Sequence, residues 1–191
     1  MNPLFVPLRE DSQPGVYDRG VDAIDAIRAR RNVRTYADRP IAEADLELIA
    51  EAAWRTPSSQ NQQRWDFVIC TAREQLEALS KVWRGAGHVA SAAAAVVMVA
   101  PNDEDETSRL SIYYDLGQAT MSIMIAATAL GIGSAHALVR EQELAREIIG
   151  FPEDRICPWM VGLGYPGDRP LAPVKRLNRR PIEEVIHRER W

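Results

Sequence analysis

The sequence predicts an α+β fold, a mostly antiparallel or mixed sheet covered by helices. Three observations predict it. Helical and strand-like segments are mixed, without clean strand–helix–strand alternation. Ala94–Ala100 (AAVVMVA) is apolar at every position and reads as a strand buried on both faces. Ser108 to Leu130 is apolar nearly all round and reads as one central helix, too interrupted by Thr120, Ser122 and Thr128 for a membrane span. The 191 residues suffice for one ordinary domain with its own core, and 46% hydrophobic with 26% charged residues excludes a wholly disordered chain.

The elements follow in order. Residues 1–20 form an arm, because Pro3, Pro7, Pro14, Gly15 and Gly20 deny it regular structure. A core spans 21–169 and a C-terminal segment 170–191. From Val21 the pattern turns helical, with Val21, Ile24 and Ile27 on one face and Arg28, Arg30 and Arg31 following. Past Pro40, a second helix is lined by Leu46, Ile49, Ala50 and Ala53 and ends before Pro57. Thr56–Arg64 is a polar loop, and Trp65–Thr71 (WDFVICT) a strand. Thr71 and Glu74 have capping-box spacing ahead of a helix carrying Leu76, Leu79 and Val82. The acidic run Asp103–Glu106 is a solvated turn. Gly131 and Gly133 end the long helix. Ser134–Val139 is a short strand, Glu141–Ile149 a short helix, and Ile156–Tyr165 a further main strand. Pro181 opens a last helix running to about His187. Trp54 and Trp65 belong to the core.

Composition excludes several functions. Lys+Arg 23 against Asp+Glu 27 gives a net charge of −4, which disfavours a nucleic-acid binder. No secretory signal and no membrane span is visible. Cys70 and Cys157 lie far apart in apolar runs and read as buried thiols in a reduced, cytoplasmic setting. His88, His136 and His187 lack metal-ligand spacing. Gly162-Leu163-Gly164-Tyr165-Pro166-Gly167 matches G-x-G-x-x-G literally, but Pro170 and Pro173 block the helix that dinucleotide binding needs; it reads as a strand entering a turn. With no covalent nucleophile or zinc site in view, the chemistry of an enzyme here falls to a bound cofactor.

Three constellations carry that chemistry. Arg30-Arg31-Asn32-Val33-Arg34 closes the first helix, amid five arginines between Arg28 and Arg39. Arginine forks suit a phosphate, although cations also favour helix C-termini. Thr56-Pro57-Ser58-Ser59-Gln60-Asn61-Gln62-Gln63 is an uncharged run of hydroxyls and amides, able to read the edge of a polar heterocycle; its composition equally describes a surface loop. The tail from 174 to 191 has six Lys/Arg and three Asp/Glu, and its cluster Lys175-Arg176-Leu177-Asn178-Arg179-Arg180 could close on the same phosphate, with a disordered basic tail as its other reading. Together they ask for a phosphate joined to a flat, hydrogen-bonding ring.

At this point the chain resembles the FMN-dependent nitroreductase family, from roughly Ala23 to Trp191. The family's Arg-Arg-Ser-x-Arg resembles Arg30–Arg34. Its Ala-Pro-Ser-x-x-Asn-x-Gln-Pro-Trp-x-Phe resembles Thr56–Phe67. Its Gly-Leu-Gly-Ser resembles Gly131–Ser134, and its arginine–proline–acidic–valine segment resembles Arg179–Val185. The resemblance implies an α+β sandwich in an intertwined homodimer, with two FMN sites at the interface. It implies that Arg30, Arg31 and Asn32 hold the FMN phosphate and ribityl chain, and that Arg34 sits at the N1/O2 side of the ring. Pro57, Ser58, Ser59 and Asn61 come from the partner subunit, with Gln63 near the ring. The backbone amides of Leu138 and Val139 approach N5 and O4, and Arg179 and Arg180 close on the phosphate. Asn32 stands where the family has Ser, and Arg64 where it has Pro, which opens the loop's rigidity to question and could attract an anionic substrate.

The implied activity is ping-pong hydride transfer through flavin N5, from NADH or NADPH to electron-poor acceptors such as nitroaromatics, quinones or enones, with no dedicated catalytic side chain. A permanent cation at Arg34 would favour the reduced flavin's negative charge by on the order of a few kcal/mol at an effective dielectric near 20. Tyr113 is a candidate for the acceptor side, with core packing as its other reading. Related flavin chemistries also fit: fragmentation of FMN to a dimethylbenzimidazole, reductive dehalogenation, or a flavin-binding redox sensor without turnover.

Overall fold

The computed structural model describes residues 22–174 and 178–191. The expected arm over 1–20, and Lys175, Arg176 and Leu177 of the basic tail, lie outside the described residues.

Four strands build one sheet: β1 (Asp66–Cys70), β2 (Ala94–Pro101), β3 (Gly133–Leu138) and β4 (Arg155–Gly164). Their order is β1-β2-β4-β3, and every neighbouring pair is antiparallel. The mostly antiparallel or mixed expectation thus resolves to antiparallel throughout, with β1 and β3 as edges. Among the described residues five α-helices accompany it: α1 (Ala23–Ala29), α2 (Glu43–Trp54), α3 (Arg73–Leu79), α4 (Glu106–Ala129) and α5 (Gln142–Ile149).

The apolar run of β2 explains the layering. Side chains alternate along a strand. Ala94, Val96, Met98 and Ala100 join the core beneath α2 and α4. Ala95, Val97 and Val99 join the opposite core, beneath α3, the 3₁₀ stretch Arg84–Ser91 and α5. Helices on both faces are why no position of this strand is polar. In the first core α4 buries Ile112, Leu116, Ile123 and Met124, each contributing roughly 1.5–3 kcal/mol. Asp105 caps α4, accepting from Ser108 N–H at 2.8 Å. Gly131 ends the α4 turn at φ 74°, whereas Gly133 already opens β3.

Cys70 and Cys157 are free and buried in the second core. Burial pushes their thiols up to about 11 and about 12.

The G-x-G-x-x-G match ends a strand and enters a turn, as expected of it. Its glycines make room for Tyr36, and Gly162 for His88 as well. A Cβ on Gly164 would lie 2.7 Å from Tyr36 Cδ1, one on Gly162 3.3 Å from Tyr36 Oη, and one on Gly167 2.9 Å from the Tyr36 carbonyl carbon. Buried Tyr36 donates its hydroxyl to the Gly162 carbonyl at 3.1 Å.

Four local expectations are corrected. The Thr71/Glu74 capping box does not form: α3 starts one residue later, with Ala72 as its N-cap, and closes at Leu79 before the buried Val82. The last helix shrinks to a 3₁₀ turn, Ile182–Glu184. Ile182, Val185 and Ile186 there are exposed, and an isolated short helix with no surface to bury is marginal. Trp54 is 52% exposed at the end of α2, not core, while Trp65 is buried as expected.

Candidate functional site

The arginine run does not close α1. The helix stops at Ala29, and Arg30 turns to φ −60°, ψ 127°. From there the chain runs extended beside β3: Asn32 pairs in parallel with Ser134, and Val33 N–H donates to the Ser134 carbonyl at 2.9 Å. Only Arg28 lies in the last turn, so the helix-dipole reading of Arg30–Arg34 falls away. Val33 is buried, while Asn32 and Arg34 are exposed. Arg30 Nη1 donates to Asn32 Oδ1 at 3.3 Å.

Arg31 is differently placed from its neighbours. It is 12% exposed and donates to Asp168 Oδ1 at 2.7 Å and the Arg169 carbonyl at 2.6 Å. The guanidinium holds the Asp168 carboxyl down at about 2. Arg31 therefore ties this segment to the chain leaving β4, where Leu171 packs against Val33, Tyr36 and Ala92.

Two buried polar atoms of this region have no partner among the described residues: Arg31 Nε and Ser134 Oγ, on adjoining backbone. Buried polar atoms are normally paired. The Arg31 segment also carries Arg30, Asn32 and Arg34, and these donors fit a ligand rich in acceptor oxygens, such as a phosphate with a polyol chain. Leu138 lies four residues beyond Ser134 on the same strand, about 13 Å away, and is exposed. Val139 is buried and donates its N–H to the Pro158 carbonyl at 3.0 Å.

The amide loop sits elsewhere. Ser59 N–H donates to both Asp115 carboxylate oxygens at 3.0 Å, and its hydroxyl to Oδ1 at 3.0 Å. Ser58 Oγ accepts from Gln63 N–H at 2.9 Å. Pro57, Asn61 and Gln63 are exposed, and Gln60, Asn61 and Gln63 hold φ of 54°, 55° and 52°. Arg64 Nη1 and Nη2 donate to the Ser108 and Ser111 hydroxyls at 2.5 Å each. Its two terminal nitrogens are thus engaged at the start of α4, while its buried Nε has no partner among the described residues. Gln63 also rims a cleft of about 310 Å³ beside β1, lined by Trp54, Trp65, Phe67 and Ile69. That cleft opens on the sheet edge opposite β3.

The described chain therefore keeps the two constellations apart. The cations lie beside β3, and the amides lie near the start of α4. Tyr113 belongs to neither: it packs edge-on against Trp159, centroids 5.0 Å apart at 82°. Arg179 and Arg180 are exposed, and their hydrogen bonds run to Asn178 and Glu184 within the tail. Among the described residues no acidic, His or Cys cluster could hold a metal, and no helix is long and apolar enough to cross a membrane. His88 packs beneath Gly162 and bonds the Ala135 carbonyl at 3.2 Å, its pKa lowered chiefly by burial.

Sequence reasoning missed Asp115, Ser108, Ser111 and Asp168. Asp115 had a legible signal: it is the one acid after the first turn of an otherwise apolar helix, and a buried carboxylate needs partners. Asp168 had none, being 137 residues from Arg31.

The fold and the cationic sheet edge define a class: an α+β sandwich protein equipped for an anionic ligand. The chain belongs to the nitroreductase family, whose family model matches residues 27–165. A relative from Archaeoglobus fulgidus, whose name pairs NADH dehydrogenase with NAD(P)H nitroreductase, is 34% identical and aligns over 89% of this chain and 99% of its own. The oxygen-insensitive NADPH nitroreductase of Salmonella typhimurium is 29% identical over 88% of this chain and 74% of its own. Among solved structures, an FMN-dependent nitroreductase from Clostridium difficile superposes with a TM-score of 0.77 at 23% identity, covering 88% of this chain and 99% of that one, a likeness of fold.

Proposed function

We propose that this nitroreductase-family chain, an FMN-dependent NAD(P)H oxidoreductase, reduces electron-poor acceptors such as nitroaromatics, quinones or enones, with one site used alternately by donor and acceptor. The observation that carries the reading is the pair of partnerless buried atoms, Arg31 Nε and Ser134 Oγ, beside Arg30, Asn32 and Arg34. FMN, when bound, supplies hydride acceptance and donation at N5. The rest falls to the chain. Arg30 and Asn32, with Arg31 Nε and Ser134 Oγ, hold the phosphate and ribityl oxygens. Exposed Arg34 places a permanent positive charge beside the ring, where negative charge gathers on reduction. Arg31 contributes from a position fixed by Asp168.

The amide half of the site comes from a second copy. Asp115 and the end of α4 are about 21 Å apart along the helix axis, so the loop of one protomer does not serve its own cations. α4 leaves Leu110, Tyr114 and Met121 61%, 69% and 45% exposed, spaced four and seven apart and hence on one stripe. Ile24 and Ile27 of α1, a helix that packs against α4, are exposed as well. Pairing α4 with its copy buries the stripe and brings Pro57, Ser58, Ser59, Asn61 and Gln63 to the partner's cations. Arg179 and Arg180 close on the phosphate from the tail. The two free thiols fit a reducing cytoplasm.

The test is an absorbance spectrum of the purified protein, without oxygen, before and after NADPH or NADH. A flavin band near ~450 nm that bleaches supports the reading. A colourless protein that takes up no added FMN overturns it.

A further inference from the structure

The Ser58–Arg64 loop meets α4 at both ends. Ser59 bonds Asp115 through its amide and hydroxyl. Arg64 spreads its fork over Ser108 and Ser111 at 2.5 Å each. Ser108 passes the contact on, donating its own hydroxyl to Asp103. Ser108, Ser111 and Asp115 are spaced three and four apart, so all the anchors stand on one face of α4.

Between the anchors the backbone is strained. Gln60, Asn61 and Gln63 all have positive φ, near 50–55°. Asn tolerates that region, while Gln gains nothing there. Such conformations persist where surrounding structure over-determines them, and they cluster at ligand sites. The loop's amides do not explain the strain. Gln62 Nε2 reaches only Gln60 Oε1 at 3.4 Å, and Gln63 Nε2 only the Asn61 carbonyl at 3.2 Å.

We propose that Arg64 and Asp115 are positioning residues, which clip the strained amide loop to α4 and so present Asn61 and Gln63 in the arrangement the FMN site of the partner requires. This rests on the site proposed above. Arg64 acts through the loop backbone and touches no reacting atom. The clip depends on its planar fork, because a lysine ammonium cannot span two hydroxyls in the same way. Because the same helix carries the exposed stripe of Leu110, Tyr114 and Met121, the clips make the loop and that stripe one rigid unit.

The test is FMN titration of the apoprotein followed by flavin fluorescence, with helix content and sedimentation measured alongside. Arg64→Ala and Arg64→Lys each raise the FMN dissociation constant about tenfold or more, since misplacing a binding group is costly even where the group itself survives. Ser108→Ala/Ser111→Ala keeps the arginine charge and has the same effect, and serves as the probe if Arg64→Ala fails to fold. Asn61→Ala/Gln63→Ala also weakens FMN, and adding Arg64→Ala to it changes the constant by less than about threefold, because groups acting through one another are not additive. Full additivity, or an Arg64→Ala affinity within about twofold of the parent, overturns the proposal. Unchanged affinity in Asn61→Ala/Gln63→Ala removes the loop from the flavin, and the two-copy site falls with it.

Discussion

Arg34 and Arg31 are three residues apart and do different things. Arg34 is exposed with its charge free to act outward. Replacing it with Ala lowers the reduction potential of bound FMN, because a cation beside the ring stabilises the charge that reduction adds. Spectroelectrochemistry of the FMN-loaded variant reads this, and an unchanged potential removes the role. Arg31 pairs its Nη2 with Asp168 while leaving Nε for the ligand, and that pairing has its own signature in acid. The Asp168 carboxyl is held at about 2, below the usual value of about 3.9. A depressed folded value stabilises above the unfolded one, so the contribution is whole above about pH 4 and fades as pH falls towards 2. Asp168→Asn removes this part of the acid limb. Urea midpoints measured from about pH 5 to pH 2 converge for parent and variant at the acid end. Failure to converge places the acid sensitivity on other carboxyls.

At the scale of elements, β4 and the extended segment after α1 are locked together by the glycines around Tyr36. Gly164→Ala puts a methyl 2.7 Å from the ring and destabilises by about 1–3 kcal/mol, read by chemical denaturation. Tyr36→Leu beside it recovers part of the loss by vacating the contact. The strands and long helices were legible because each carries its own period: β2 in unbroken apolar residues, α4 in its length and continuous apolarity. The elements that misread were those decided by tertiary context. Arg30–Arg34 continued the α1 pattern in sequence, but pairing with Ser134 draws it into an extended run. The last helix had a good N-terminal proline and no surface to rest on. Thr71 and Glu74 had the spacing of a box and lost it to a one-residue shift.

Across the whole molecule the two half-sites are legible as compositions, cations here and amides there, while their separation is not. Distance along α4 is a property of the folded chain. It leads to a prediction about assembly. Met121→Glu together with Tyr114→Glu places like charges on the exposed stripe of α4 and disfavours a copy packed there. Sedimentation shifts from two copies to one, and FMN affinity drops with it although neither residue is among the proposed ligands. A monomer that keeps full FMN affinity means that one chain completes the site.

The two thiols, sealed in the second core and protonated at neutral pH, leave the surface chemically silent to maleimides. A single cysteine introduced at Gln62 would then be the sole attachment point for a spin label or dye, with the native pair left in place. Two such labels in an assembled pair would measure how far apart the two loops stand. The seclusion of Cys70 and Cys157 thus turns the intact protein into its own ruler for the proposed arrangement of the two loops.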